Sequence, residues 1–207
     1  MKEEKLKHLE GTTTVGLVCK DGVVLATDTR ATMGYLVASK KARKVYCITD
    51  NIAFTTAGGV ADTEQLVNVM RAEAKYYEMH EGVPMGVGNC AKLVSNIMNA
   101  SVYYPYIANL LVGGMDGDTP RLFFIDIDGG MTEEDIVATG SGSPVAYGVL
   151  ETEFKNGMKT EDAIPIAVKA LKTAMKRDIA TGNEIMVVTV TKKGYNELSP
   201  EEIKKLA

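Results

Sequence analysis

The chain has 207 residues, 45% hydrophobic and 24% charged, which is enough apolar side chain for one substantial core in a single domain. Lys and Arg number 23 against 27 Asp and Glu, a net charge of −4 spread along the chain, so no cationic field gathers phosphate backbones and nucleic acid is not an expected partner. The longest apolar runs, such as residues 107–115, fall far short of the roughly 20 needed to cross a bilayer, so no membrane is expected either.

Residues 1–10 (MKEEKLKHLE) carry three Lys and three Glu and no apolar h-region, which argues against secretion and for a cytoplasmic location. Residues 12–20 and 23–29 are β-rich runs joined by Asp21-Gly22, a two-residue hairpin signal. A second hairpin, 45–49 and 52–57, turns at Asp50-Asn51 and ends in Ala57-Gly58-Gly59. Asp62 is read as the N-cap of a helix reaching His80, with Leu66, Val69, Met70 and Tyr77 at helical spacing. Gly82 and Pro84 break it, and a second helix runs through Val87, Leu93, Val94, Ile97 and Met98. Residues 107–113, 121–127 and 136–139 then read as three antiparallel strands, separated by turns at 115–120 and 128–130. Two helices follow, about 143–154 and about 160–179, the latter with Thr160 as its cap. Residues 184–191 are the last strand, and Ser199-Pro200 opens a short tail helix. Paired helices between groups of hairpin strands imply antiparallel sheets covered by helix layers, an α+β sandwich.

Histidine chemistry is nearly excluded. His8 lies in the polar leader and His80 at the end of a charged helix, both read as solvated imidazoles, so no Ser/His/Asp or Cys/His relay is expected. Cys19, Cys47 and Cys90 are odd in number and lack CxxC spacing, which suits small buried side chains better than disulfides or zinc. A hydrolase built from this sequence needs another base. Gly11 precedes Thr12, Thr13 and Thr14 where the leader gives way to the first strand. A threonine hydroxyl becomes a nucleophile when a base takes its proton, and the α-amino group of the same residue is one base that needs no histidine. Its pKa of about 7.7 to 8.0 leaves it substantially neutral at a pH of about 7.5, whereas lysine near 10.4 is almost wholly protonated. Thr12 would then have to become the N-terminus, and Gly11, without Cβ, would leave its carbonyl open to the Thr12 hydroxyl. Three β-branched residues beginning a strand would look the same.

Six segments occur in order: Thr12 to Gly16 (TTTVG), Ala26 to Arg30 (ATDTR), Arg43-Lys44-Val45, Ala57 to Asp62 (AGGVAD), Gly140-Ser141-Gly142 and Arg177 to Gly182 (RDIATG). In these, and in element order over residues 12–193, the chain resembles proteasome β subunits, closest to the catalytically competent archaeal type. The resemblance implies the N-terminal-nucleophile hydrolase fold, a four-layer αββα sandwich of two antiparallel sheets. It implies a threonine-type endopeptidase, with residues 1–11 an autocatalytically removed propeptide and 12–207 one catalytic domain. Residue by residue, it makes Thr12 the nucleophile and Asp28 with Lys44 a buried ion pair beside it. Gly58 falls at the oxyanion position and Ser141 and Asp178 at positions that bind the nucleophile's amine. Thr181 matches a supporting hydroxyl that is often serine. Ala31, Ala42, Tyr46, Thr56 and Val60 are placed around the pocket for the side chain before the scissile bond. No metal or organic cofactor is implied. Expected partners are unfolded polypeptide substrates, six further copies in a homo-heptameric ring stacked on a second ring, proteasome α-subunit rings, and an ATP-dependent unfoldase acting through them.

Rival readings fit less well. The loop at 140 lacks GxxxxGKS and GxGxxG spacing, which disfavours a nucleotide-binding module. Asp28-Thr29-Arg30 is not the Asp-Thr-Gly of an aspartic protease. A non-catalytic ring subunit is disfavoured because every position of the catalytic pattern is filled, Gly11 included. The segment 177–182 with Ser141 disfavours an N-terminal-nucleophile amidohydrolase or a six-membered-ring threonine protease.

Overall fold

A computed structural model describes residues 11–101 and 103–206. The leader 1–10, with His8, lies outside the described residues. Strands β1 (Thr13–Cys19), β2 (Gly22–Asp28), β10 (Ile136–Gly140), β11 (Ile185–Thr191) and β12 (Gly194–Glu197) form one antiparallel sheet in the order β10-β1-β2-β11-β12. A second antiparallel sheet runs β5 (Val45–Thr49), β6 (Ile52–Gly58), β7 (Ala108–Asp116), β8 (Thr119–Ile125), β9 (Met131–Glu133). A small hairpin, β3 (Ala31–Met33) with β4 (Leu36–Ser39), connects the two.

Side-chain alternation builds the layers. In β2, Val23 and Leu25 face the second sheet, while Val24 and Ala26 face helices α3 (Ser143–Glu153) and α4 (Thr160–Met175). Buried on both faces, the strand reads as a continuous apolar run. On the other side, Phe54, Leu110 and Val112 receive α1 (Val60–Glu81) through Leu66 and Met70, and α2 (Val87–Ala100) through Val94 and Met98. Three apolar cores between four layers make an αββα sandwich. The tail helix α5 (Pro200–Lys205) carries a full capping box, Ser199 and Glu202 bonding each other's backbone N–H. Cys19 and Cys90 are buried thiols, both pushed up to about 12 by burial, and Cys47 is half-buried.

Several expectations need correction. The strand at 136–139 does not continue the meander: β10 crosses to the first sheet and pairs with β1, and the unforeseen β9 takes the place beside β8. Asp62 is not the cap of α1. Gly59 is, and the Asp62 carboxylate instead accepts the Ile107 N–H at 2.9 Å, tying the helix to the start of β7. Thr160 is inside α4, capped by Lys159, with its N–H given to Asp21. That helix stops at Met175, short of the expected 179, because Asp178 accepts the Ala180 N–H and draws the chain into a turn.

Candidate active site

The site lies where the two sheets meet, at the start of β1. Thr12 precedes the strand and is nearly buried. On the antiparallel ladder Thr14 faces Thr27, which brings the Asp28 carboxylate to the Thr13 N–H at 2.9 Å. Asp28 is enclosed and fully engaged: Oδ1 also accepts the Lys44 ammonium at 2.7 Å, and Oδ2 accepts the N–H groups of Arg30 and Gly182, each at 2.9 Å. Lys44 enters from the second sheet, just before β5, as the other half of a buried ion pair. Burial lowers the Lys44 ammonium below the ordinary lysine value, with the Asp28 charge and hydrogen bond opposing that shift.

Lys44 Nζ is 3.3 Å from the Gly11 carbonyl oxygen, and the Thr12 hydroxyl donates to the same oxygen at 2.5 Å. Gly11 has φ +136°, and a Cβ there would lie 2.1 Å from Thr32 Oγ1. Both conformation and space therefore demand glycine. Across a cavity of about 170 Å³, lined by Thr12 and Lys44, lies Gly58 at the end of β6, with φ +147° and its missing Cβ 2.2 Å from the Ile107 oxygen. The same cavity is lined by Ala31, Ala42, Tyr46, Thr56 and Val60, so residues from three chain segments converge on one concave surface. A larger cavity, about 700 Å³, lies at the far end of β6 beside Asn51 and Gly194 and touches none of these residues.

On the other flank of Thr12, Ser141 Oγ is 3.4 Å from the Thr12 carbonyl oxygen and 2.5 Å from Asp178 Oδ2. Thr181 donates to that same carboxylate oxygen. Gly140, at φ +87°, allows the close passage of the Thr12 carbonyl, which a Cβ would meet at 2.0 Å. Thr12, Asp28, Lys44, Gly58, Ser141, Asp178 and Thr181 are thus brought together from both sheets and from the α4–β11 connection. Reading the sequence did not single out Arg30 for a role. Its guanidinium donates to the Ile179 carbonyl at 2.7 Å and to Asn183 Oδ1 at 3.0 Å, holding the turn whose Gly182 N–H reaches Asp28. It also missed Thr13, whose hydroxyl lies 2.6 Å from that of Thr181, and Thr32 in the cavity wall. The signal was the strand period of two, which sends consecutive threonines to opposite faces.

The αββα sandwich is the fold of N-terminal-nucleophile hydrolases, and at one end of it a hydroxyl, a buried lysine paired with a carboxylate, and a concave pocket beside a glycine turn lie together. The family model described as Proteasome subunit matches residues 9–190. The protein named proteasome subunit beta of Methanoculleus marisnigri is 54% identical over 198 residues, covering 95% of this chain and 92% of that one. Those of Methanoregula boonei and Ferroglobus placidus are each 50% identical, over 99% and 97% of this chain and 97% and 96% of theirs. The chain belongs to the proteasome subunit family, and these near-full-length relatives put it among the β subunits.

Proposed function

We propose that the chain is the precursor of a threonine-type endopeptidase subunit of a proteasome core particle, with 1–11 as propeptide and 12–207 as the catalytic domain. The observation that carries this reading is the convergence of the Thr12 hydroxyl and the Lys44 ammonium on the Gly11 carbonyl oxygen. Attack of Thr12 Oγ1 on that carbonyl carbon gives a five-membered ring whose oxyanion Lys44 neutralises. Collapse breaks the Gly11–Thr12 C–N bond, the hydroxyl proton ends on the nitrogen, and water hydrolyses the resulting ester. The freed Thr12 amine is then the base for the same hydroxyl when a substrate carbonyl occupies the site. The positive charge of Lys44 lowers the amine's pKa and favours loss of the hydroxyl proton, and Asp28 keeps Lys44 oriented.

The Gly58 N–H stabilises the oxyanion of the substrate, a donor of the kind worth about 10²- to 10³-fold in rate. Ser141 and Asp178 hold the amine, and Thr181 supports Asp178. Ala31, Ala42, Tyr46, Thr56 and Val60 give a small, largely neutral pocket suited to apolar side chains with loose selectivity. On this reading the chain assembles into stacked homo-heptameric rings, capped by α-subunit rings and fed with unfolded polypeptide by an ATP-dependent unfoldase in the cytoplasm. In a Thr12→Ala chain assembled with α subunits, leader removal, peptide hydrolysis and labelling by a threonine-directed electrophile all disappear. Equal labelling of both chains defeats the assignment.

A further inference from the structure

Thr13 opens β1 directly after Thr12, and its hydroxyl has its own path to the site. Thr13 is fully buried, Thr181 nearly so, and their hydroxyl oxygens are 2.6 Å apart. Thr181 is bonded in turn to Asp178 Oδ2, the oxygen that Ser141 also approaches at 2.5 Å. A carboxylate only accepts, so Thr181 and Ser141 are both donors to it. With its single proton committed to Asp178, Thr181 can only accept from Thr13. The order of donors is therefore fixed, Thr13 to Thr181 to Asp178, and each bond polarises the next.

Gly142 supplies an independent sign that this path is built in. Its φ of −89° is open to any residue, so backbone conformation does not require glycine there. Space does: a Cβ at 142 would lie 2.1 Å from Thr13 Oγ1 and 3.0 Å from Thr181 Oγ1. Gly140 accommodates the Thr12 carbonyl, and Gly142 accommodates the Thr13 hydroxyl. We infer that Thr13 is a positioning residue of this site, its hydroxyl holding Asp178 and Ser141 in place beside Thr12 by way of Thr181. The inference rests on the reading of Thr12 as nucleophile and of its freed amine as base.

Among the described residues, the charged groups around Thr12 are Asp28 at the end of β2, Arg30 after it, Arg43 and Lys44 before β5, and Asp178 after α4. Only Asp178 is suspended from the Thr13 path. A carboxylate near an ammonium raises its pKa, so releasing Asp178 moves the acid limb of the rate profile to lower pH. The test uses the full chain assembled with α subunits, the fraction beginning at Thr12 counted by intact mass, and a fluorogenic peptide read for kcat, KM and pH profile. Thr13→Val and Gly142→Ala are expected to lower kcat about ten- to a hundredfold, the rate equivalent of a hydrogen bond to a charged group, with KM little changed and the acid limb displaced downward. Thr13→Ser restores both, and Thr13→Val adds nothing in a Thr181→Val background.

A Thr13→Val particle with unaltered kcat and limb overturns the inference, as does slow turnover with an unmoved limb or a Thr13→Ser particle as slow as Thr13→Val. If Thr13→Val does not assemble, Thr13→Ala replaces it. Failure of both counts against the inference, since the hydroxyl then serves the fold and not the site. Thr12→Ala, run alongside, separates the two levels: activity surviving in it defeats the nucleophile reading whatever Thr13 does.

Discussion

Lys44 is a cation held out of water, and its surroundings set the cost of removing it. Truncation leaves the Asp28 carboxylate buried with only backbone N–H donors, a change of the kind that costs about 3–5 kcal/mol. Lys44→Ala is expected to abolish both leader removal and peptide hydrolysis, and normal turnover in that chain would refute the role given to Lys44. The direction of its pKa shift adds a pH signature. Folded Lys44 loses its proton below the ordinary 10.5, while the unfolded chain keeps it to 10.5. Activity should therefore decline on the alkaline side before pH 10.5, as the charge beside Thr12 is lost. Over that window the unfolded state binds more protons, so the Lys44 contribution to stability rises with pH. Rate profiles and urea midpoints from pH 8 to 10, set against Lys44→Met, test this; a fall in stability specific to the chain with Lys44 would reverse the sign. In the sequence Lys44 closes the run SKKARK and looks like part of a solvated basic turn. Its burial comes from where β5 docks, which no local feature encodes.

At the scale of elements, the β6–α1 junction shows how a turn becomes a site. Gly58 ends β6 at φ +147° against the Ile107 carbonyl, and Gly59 caps α1 while giving its N–H to that same oxygen at 2.7 Å. Gly58→Ala sets a methyl 2.2 Å from a backbone oxygen, so the turn must move. The expected result is a loss of about 10²- to 10³-fold in kcat with a lowered melting temperature, measured on assembled particles. Full activity in that chain would remove Gly58 from the oxyanion role. Both hairpins were legible because the turn chemistry is local and alternation continues on both sides, although the first turns at Lys20-Asp21, with Gly22 already in β2 and paired to Cys19, and not at the expected Asp21-Gly22. The placement of β10 was not. Its apolar run fits either sheet, and pairing with β1 is decided by which edge is open once β9 covers β8. The early end of α4 was illegible for a related reason, since Asp178, besides making a local turn with the Ala180 N–H, is held by Ser141 from 37 positions away.

For the whole molecule, the sandwich puts the Gly11–Thr12 bond in the wall of the cavity at one end of the inter-sheet core, with Asp28 and Lys44 buried beside it. On the proposed reading, proteolysis confined to assembled rings would require the leader to outlast synthesis. Intact mass should give the complete chain for the free subunit and a chain beginning at Thr12 for the assembled particle. A fully active particle still beginning at Met1 would end the proposal.

The amino-acid sequence by itself determined the alternating strands, the helix pairs, the near absence of imidazole and a glycine before three threonines, because these depend on residue type and short-range spacing. It also carried the family resemblance, whose six ordered segments turn out to be the ones that meet at Thr12. Only the tertiary structure decided which sheet receives β10 and that Thr13 reaches Asp178 through Thr181. Those outcomes depend on contacts between residues as much as 168 positions apart, and such contacts form only when the layers pack.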